Sequence, residues 1–83
     1  MKNVKVYDSG PDFLDRYTAV YLDFPGYKLN EFVAVGMSSN PFSPQGFGQH
    51  MECSPGTHLG TEIEFGNLPT DCKKLIEQDL KKD

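Results

Sequence analysis

The stretch "PTDCKKLIEQDLKK", residues 69–82, carries the one clear helical period in the chain. Cys72, Leu75, Ile76 and Leu80 fall at i, i+3, i+4 and i+8, which places them in a single apolar stripe. Pro69 stops what precedes it, and Thr70 is the expected cap of a helix beginning at Asp71. Asp71 sits at the positive end of the helix dipole, and Lys81 and Lys82 at the negative end. A helix of about 12 residues is marginal alone in water. It must dock its stripe elsewhere, burying Leu75, Ile76 and Leu80.

The surface it docks on reads as sheet. "NVKVY" alternates, with Val4 and Val6 on one side and Lys5 and Tyr7 on the other. "DSGPD" is turn chemistry. "RYTAVYL" is rich in β-branched and aromatic residues, with Tyr17, Ala19 and Tyr21 opposite Thr18, Val20 and Leu22. These two runs are expected to pair as a hairpin or as neighbours. In "FPGY", Pro25 and Gly26 match the central positions of a type II turn. "EFVAVG", residues 31–36, reads as a third strand. "TEIEF", residues 61–65, reads as a fourth, with Thr61, Ile63 and Phe65 facing one way and Glu62 and Glu64 the other.

Between the third and fourth strands lie 25 residues, 36–60, with no sustained period. Loops beyond roughly 12–15 residues are uncommon in compact domains. Disordered tracts are poor in aromatics and rich in charge, whereas this one holds Met37, Phe42, Phe47, Met51 and Leu59 and a single formal charge, Glu52. It is therefore expected to be ordered, with at least one of Phe42 and Phe47 packed on the sheet. Binding residues concentrate on loops held by a scaffold, so Asn40, Phe42, Gln45, Phe47, Gln49 and His50 are the candidate contact residues. The glycines match no phosphate-binding loop.

Chain length and charge limit the function classes. Eighty-three residues make one domain, 1–83. Leu, Ile, Val and Phe number 20, just above the roughly one-fifth at which a chain still folds, so a modest core is expected. The net charge is −4 and Arg16 is the only arginine, which argues against nucleic-acid binding, a function that needs a basic stripe. Arg16 is expected to pair with a neighbouring carboxylate or to lie on a tyrosine face. No apolar run reaches the roughly 18 residues of a membrane span, and no leader-like stretch opens the chain. Two cysteines are too few for a disulfide framework. These features together point to a cytoplasmic protein with reduced thiols, although a single Cys53–Cys72 bridge is left open.

Three constellations could carry chemistry. His50, Cys53, His58 and Cys72 have the number and type of ligands for tetrahedral zinc. Cys72, however, falls on the stripe expected to be buried, so no metal and no cofactor are expected and the zinc set stands as the alternative. Cys53 with His50 or His58 could serve a thiol-dependent hydrolase, but no orienting third group is identifiable. Asp8, Asp12, Asp15 and Asp23 fit no calcium loop or acid–base pair and read as solvated turns. No residue is assigned a catalytic role.

The strings "VYDSG", "LDRYTAVYLD", "GMSSNPFSPQGFGQH" and "HLGTEIEFGNLPTDCKKLI" resemble a group of small uncharacterised proteins of bacterial and phage genomes. The resemblance covers roughly residues 7–80. It implies a free-standing protein of a phage or mobile-element setting and carries no catalytic residues.

The expected fold is α+β: a small antiparallel sheet of three to five strands, one C-terminal helix and a long ordered loop. The expected function is that of a non-enzymatic accessory or interaction protein presenting the 36–60 loop to a protein partner, with a homodimer left open. The alternatives are a metal-stabilised nucleic-acid-binding domain and a small thiol-dependent hydrolase.

Overall fold

A computed structural model of the chain describes residues 3–12, 16–38 and 50–81. Among these residues five strands form one antiparallel sheet: β1 (Val4–Asp8), β2 (Tyr17–Pro25), β3 (Phe32–Met37), β4 (Met51–Cys53) and β5 (Thr61–Ile63). Their order across the sheet is β4-β3-β2-β1-β5. The helix α1 (Thr70–Lys81) follows. Among the described residues no helix is long and apolar enough to cross a membrane. The α+β reading therefore holds, at the upper end of the expected strand count.

The period-two alternation sorts residues onto two faces. Val6, Tyr17, Ala19, Tyr21, Val35 and Met37 point toward α1 and form the main core with Leu68, Cys72 and Ile76. Cys72 and Ile76 are fully buried, and Leu80 packs against the same core half-buried. Leu75, expected inside, is only half-buried. It lies at the flank of a stripe whose centre runs through Cys72 and Ile76. The ladder of α1 also starts one residue earlier than expected. The Lys73 N–H donates to the Pro69 carbonyl at 3.1 Å, so Pro69 occupies the cap position and Thr70 the first turn.

The opposite face holds Tyr7, Val20 and Ala34, joined by Leu22, Phe32, Cys53 and Leu59. It is covered by the connection from β4 to β5, residues 54–60. Those two strands sit at opposite edges, so the chain must cross the sheet. It runs through a single 3-10 turn, Thr57–Leu59. The Ser9 hydroxyl donates to the Leu59 carbonyl at 2.8 Å. At the end of the crossing Gly60 has φ +120°, and a Cβ there would strike the Asp8 backbone. Only glycine fits so close an approach at that φ.

Three local expectations are corrected. The region 36–60 is not one loop: its start belongs to β3, and β4 pairs antiparallel with β3 (Phe32 with Cys53, Ala34 with Met51). Three residues are too few to display a period. The strand over 61–65 ends at Ile63, and Phe65 opens a 3-10 turn, Phe65–Asn67, that brings Phe65 and Leu68 onto the core. The turn after Pro25 does not put a positive φ on Gly26. The Gly26 N–H donates to the Glu31 carbonyl at 2.7 Å and the Glu31 N–H to the Lys28 carbonyl at 3.1 Å, so the positive φ, +66°, falls on Asn30. Asparagine tolerates that region better than other residues with a Cβ.

Candidate interaction surface

Asp79 gathers the polar contacts on the helix side. The Tyr21 hydroxyl, reaching up from β2, donates to Asp79 Oδ2 at 2.8 Å. His50 Nε2 lies 3.0 and 2.9 Å from the two Asp79 oxygens. The carboxylate side chain is only 11% exposed, while that of His50 is 55% exposed. A few residues upstream in the same helix, the Cys72 thiol meets the Ser38 carbonyl at 3.5 Å. Ser38 and His50, the two residues flanking positions 39–49, are thus both held by α1. Tyr21, Phe24, Val33 and His50 line a cleft of about 460 Å³, with Tyr21 and Phe24 edge to face at 6.4 Å. A carboxylate behind an imidazole fixes its orientation. No hydroxyl or thiol nucleophile other than the Tyr21 phenol lines this cleft among the described residues.

The thiols are placed for packing. Cys72 is fully buried, and burial, with Asp71 adding to it, pushes its pKa up to about 11. Cys53 is half-buried in the opposite face, and burial followed by the Glu31 charge raises its pKa as well. His50 turns to Asp79 and His58 is exposed on the 3-10 turn. The four residues of the zinc alternative are therefore split across the sheet. Among the described residues no three His, Cys, Asp or Glu side chains gather as a metal site.

Two of the acidic residues of the first third, Asp8 and Asp23, have polar partners. Arg16 Nε pairs with Asp8 Oδ1 at 3.1 Å, and its guanidinium lies 5.2 Å from the Tyr17 ring centre. Both expected environments of Arg16 occur together. Asp23 accepts from the Asn3 amide at 2.9 Å. Asp12 is exposed, and Asp15 lies outside the described residues.

The largest exposed apolar side chains collect elsewhere. Tyr27 is 97% exposed, Leu29 90% and Met51 42%. Tyr27 and Leu29 sit on the β2–β3 turn and Met51 on β4. Glu52 ties the two together, its Oε1 accepting the Tyr27 N–H at 2.8 Å. The turn from Pro25 to Phe32 lines a shallow concavity of about 390 Å³. Single exposed apolar residues are ordinary, but Tyr27 and Leu29 stand together on one turn, on the concavity it forms, which is a contact surface in form. The sequence signal was "YKLN", two large apolar residues flanking a lysine inside a turn where polar residues are the rule.

Of the candidate contact residues, His50 is described and rests on α1. Asn40, Phe42, Gln45, Phe47 and Gln49, and with them the expected packing of Phe42 or Phe47, lie outside the described residues. No protein-family model, no curated protein and no solved structure matches this chain.

Proposed function

We propose that the protein acts by binding another protein and performs no catalysis, with the contact surface at the β2–β3 turn and at β4 of the 36–60 region beside it. The observation that carries this reading is the exposure of Tyr27 and Leu29 on the β2–β3 turn and of Met51 on β4, two segments that the Glu52–Tyr27 contact links. The thiol-hydrolase alternative is weakened by two thiols whose pKa values burial raises, since the thiolate is the nucleophile. The metal-stabilised nucleic-acid alternative is weakened by the split ligand set and the net charge of −4. Two free thiols suit a reducing compartment, which supports a cytoplasmic location. A phage or mobile-element setting rests on the string resemblance alone.

The test is site-specific photo-crosslinking in the native host. A crosslinker replacing Tyr27 should trap one discrete protein. The same group replacing Glu62, at the far edge of the sheet, should trap none. Tyr27→Ser with Leu29→Ser should abolish binding of the trapped protein with an unchanged melting temperature. Equal adducts from both positions, or full binding by the double variant, would refute the assignment.

A further inference from the structure

Resting on the interaction reading above, we infer that Glu52 is the positioning residue of the contact surface: its carboxylate clamps the β2–β3 turn, so that Tyr27 and Leu29 meet the partner as a preformed knob. Tyr27 is 97% exposed and Leu29 90%, so packing of these two side chains cannot hold the turn in one shape. Its hydrogen bonds must. The Gly26 N–H donates to the Glu31 carbonyl and the Glu31 N–H to the Lys28 carbonyl, with Asn30 taking the positive φ between them. These bonds close the base of the turn. Glu52 reaches its far side from β4, 25 residues away in the chain, and accepts the Tyr27 N–H at 2.8 Å.

Gly26 makes room for the clamp. A Cβ there would lie 2.8 Å from the same Oε1, nearer than a Cβ can approach. A hydrogen bond to a carboxylate is stronger than one to a neutral acceptor, and this one acts at the residue that carries the exposed ring. Ordering a loop on binding costs affinity, and a loop already held in its bound shape avoids that cost. The N–H groups of Gly26, Tyr27 and Glu31 are all engaged within the protein, so the partner meets side chains rather than a backbone ladder. With so little of Tyr27 and Leu29 covered, the walls around them are the partner's: an apolar cleft on a folded surface.

Glu52→Ala, Glu52→Gln and Gly26→Ala test this in the whole protein, by amide NMR and by binding to the protein that the Tyr27 crosslinker traps. Glu52→Ala should speed exchange of the Tyr27 amide about tenfold, the effect of losing one hydrogen bond to a charged group, and should raise the mobility of residues 26–31 in nitrogen relaxation. Protection of residues 51–53 and the melting temperature should not move. Binding should weaken by about the same factor. Gly26→Ala should reproduce both effects with Glu52 in place, because its methyl displaces the carboxylate. Glu52→Gln keeps an acceptor without the charge and should fall between wild type and Glu52→Ala in both readouts. An unchanged Tyr27 amide in Glu52→Ala would overturn the clamp, whatever the partner does. A loosened turn with undiminished binding would overturn the positioning role. Lost protection at 51–53 with a lower melting temperature would reassign Glu52 to holding β4 and overturn it too. A Tyr27 crosslinker that traps nothing would refute the interaction reading and take the role of the clamp with it, and the Tyr27 amide tells that failure from a failure of the clamp itself.

Discussion

Cys53 and Cys72 lie on opposite faces of one sheet, each packed into a different apolar cluster. No bridge joins them, and no single ion can hold both without unfolding the sheet. Intact mass after denaturing alkylation without reductant should show two modified thiols. Under native conditions at pH 8, Cys53 should react first and Cys72 only as fast as the protein unfolds, because its thiol is buried and protonated. A mass two units low and resistant to alkylation would contradict the placement.

Raised pKa values also set an alkaline limit. Burial raises Tyr7, with the Glu62 charge adding to it. Burial also raises Tyr17, against the lowering effect of Arg16. Cys72 is pushed up to about 11. A group with a raised folded pKa contributes stability that is full below its unfolded pKa and is lost as pH rises through the folded one. Urea midpoints should therefore hold to about pH 8.5, the unfolded thiol value, and fall steadily toward and beyond pH 11. Cys72→Ala should make the first part of that fall shallower, leaving the contribution of Cys53, whose pKa burial also raises.

Asp8 gives the opposite slope. The hydrogen bond from Arg16 lowers its pKa, with the Gly10 N–H and the Arg16 charge assisting. Its contribution is present above the unfolded value near 4 and is lost as pH falls through the lower folded value. Asp8→Asn keeps an acceptor for the Gly10 N–H at 2.8 Å and removes the ion pair. The pair is partly exposed, so the cost at pH 7 should be modest, about 0.5 kcal/mol. Wild type and variant should converge in stability near pH 2.

The Asp79 contacts differ in burial, so they should differ in energy. The Tyr21 hydroxyl bonds a largely buried carboxylate, and Tyr21→Phe should cost about 1.5 kcal/mol. The His50 side chain is half in solvent, and His50→Ala should cost under about 1 kcal/mol. A double-mutant cycle in urea should reveal coupling between the two through their shared carboxylate.

Two glycines separate backbone strain from steric contact. Gly10 and Gly60 both hold positive φ, at +100° and +120°. A Cβ on Gly10 meets nothing within 4 Å, while one on Gly60 meets the Asp8 backbone. Gly10→Ala should cost about 1–2 kcal/mol. Gly60→Ala should cost clearly more, and thermal melts of the two should rank in that order.

The parts legible in the sequence are those that local periods write down. Val4/Val6, Tyr17/Ala19/Tyr21 and the Cys72–Ile76 centre of the helical stripe each face where their spacing puts them. What the sequence conceals depends on strand order. Nothing near Met51 says that it pairs with Ala34. The burial of Tyr7 follows from a connection almost fifty residues downstream. The exposed pair Tyr27 and Leu29 was hidden by the Pro-Gly that precedes it, which drew the turn four residues too early. Of the proposed interaction surface, only Met51 and Glu52 on β4 lay inside the segment singled out.

The crossing from β4 to β5 has little slack. The two strands run in the same direction, because each is antiparallel to its neighbour and three strands stand between them. From Cys53, level with Phe32, to Thr61, level with Asp8, the chain climbs about five residues at roughly 3.4 Å and passes four strand spacings of about 4.8 Å. That diagonal is roughly 25 Å on a flat sheet, and eight residue steps reach at most roughly 29 Å. The strap is a short tether, and the Thr57–Leu59 3-10 turn shortens its reach further. Peeling either edge strand away pulls on the other, so the two margins of the sheet open together and exchange their amide protons as one cooperative unit.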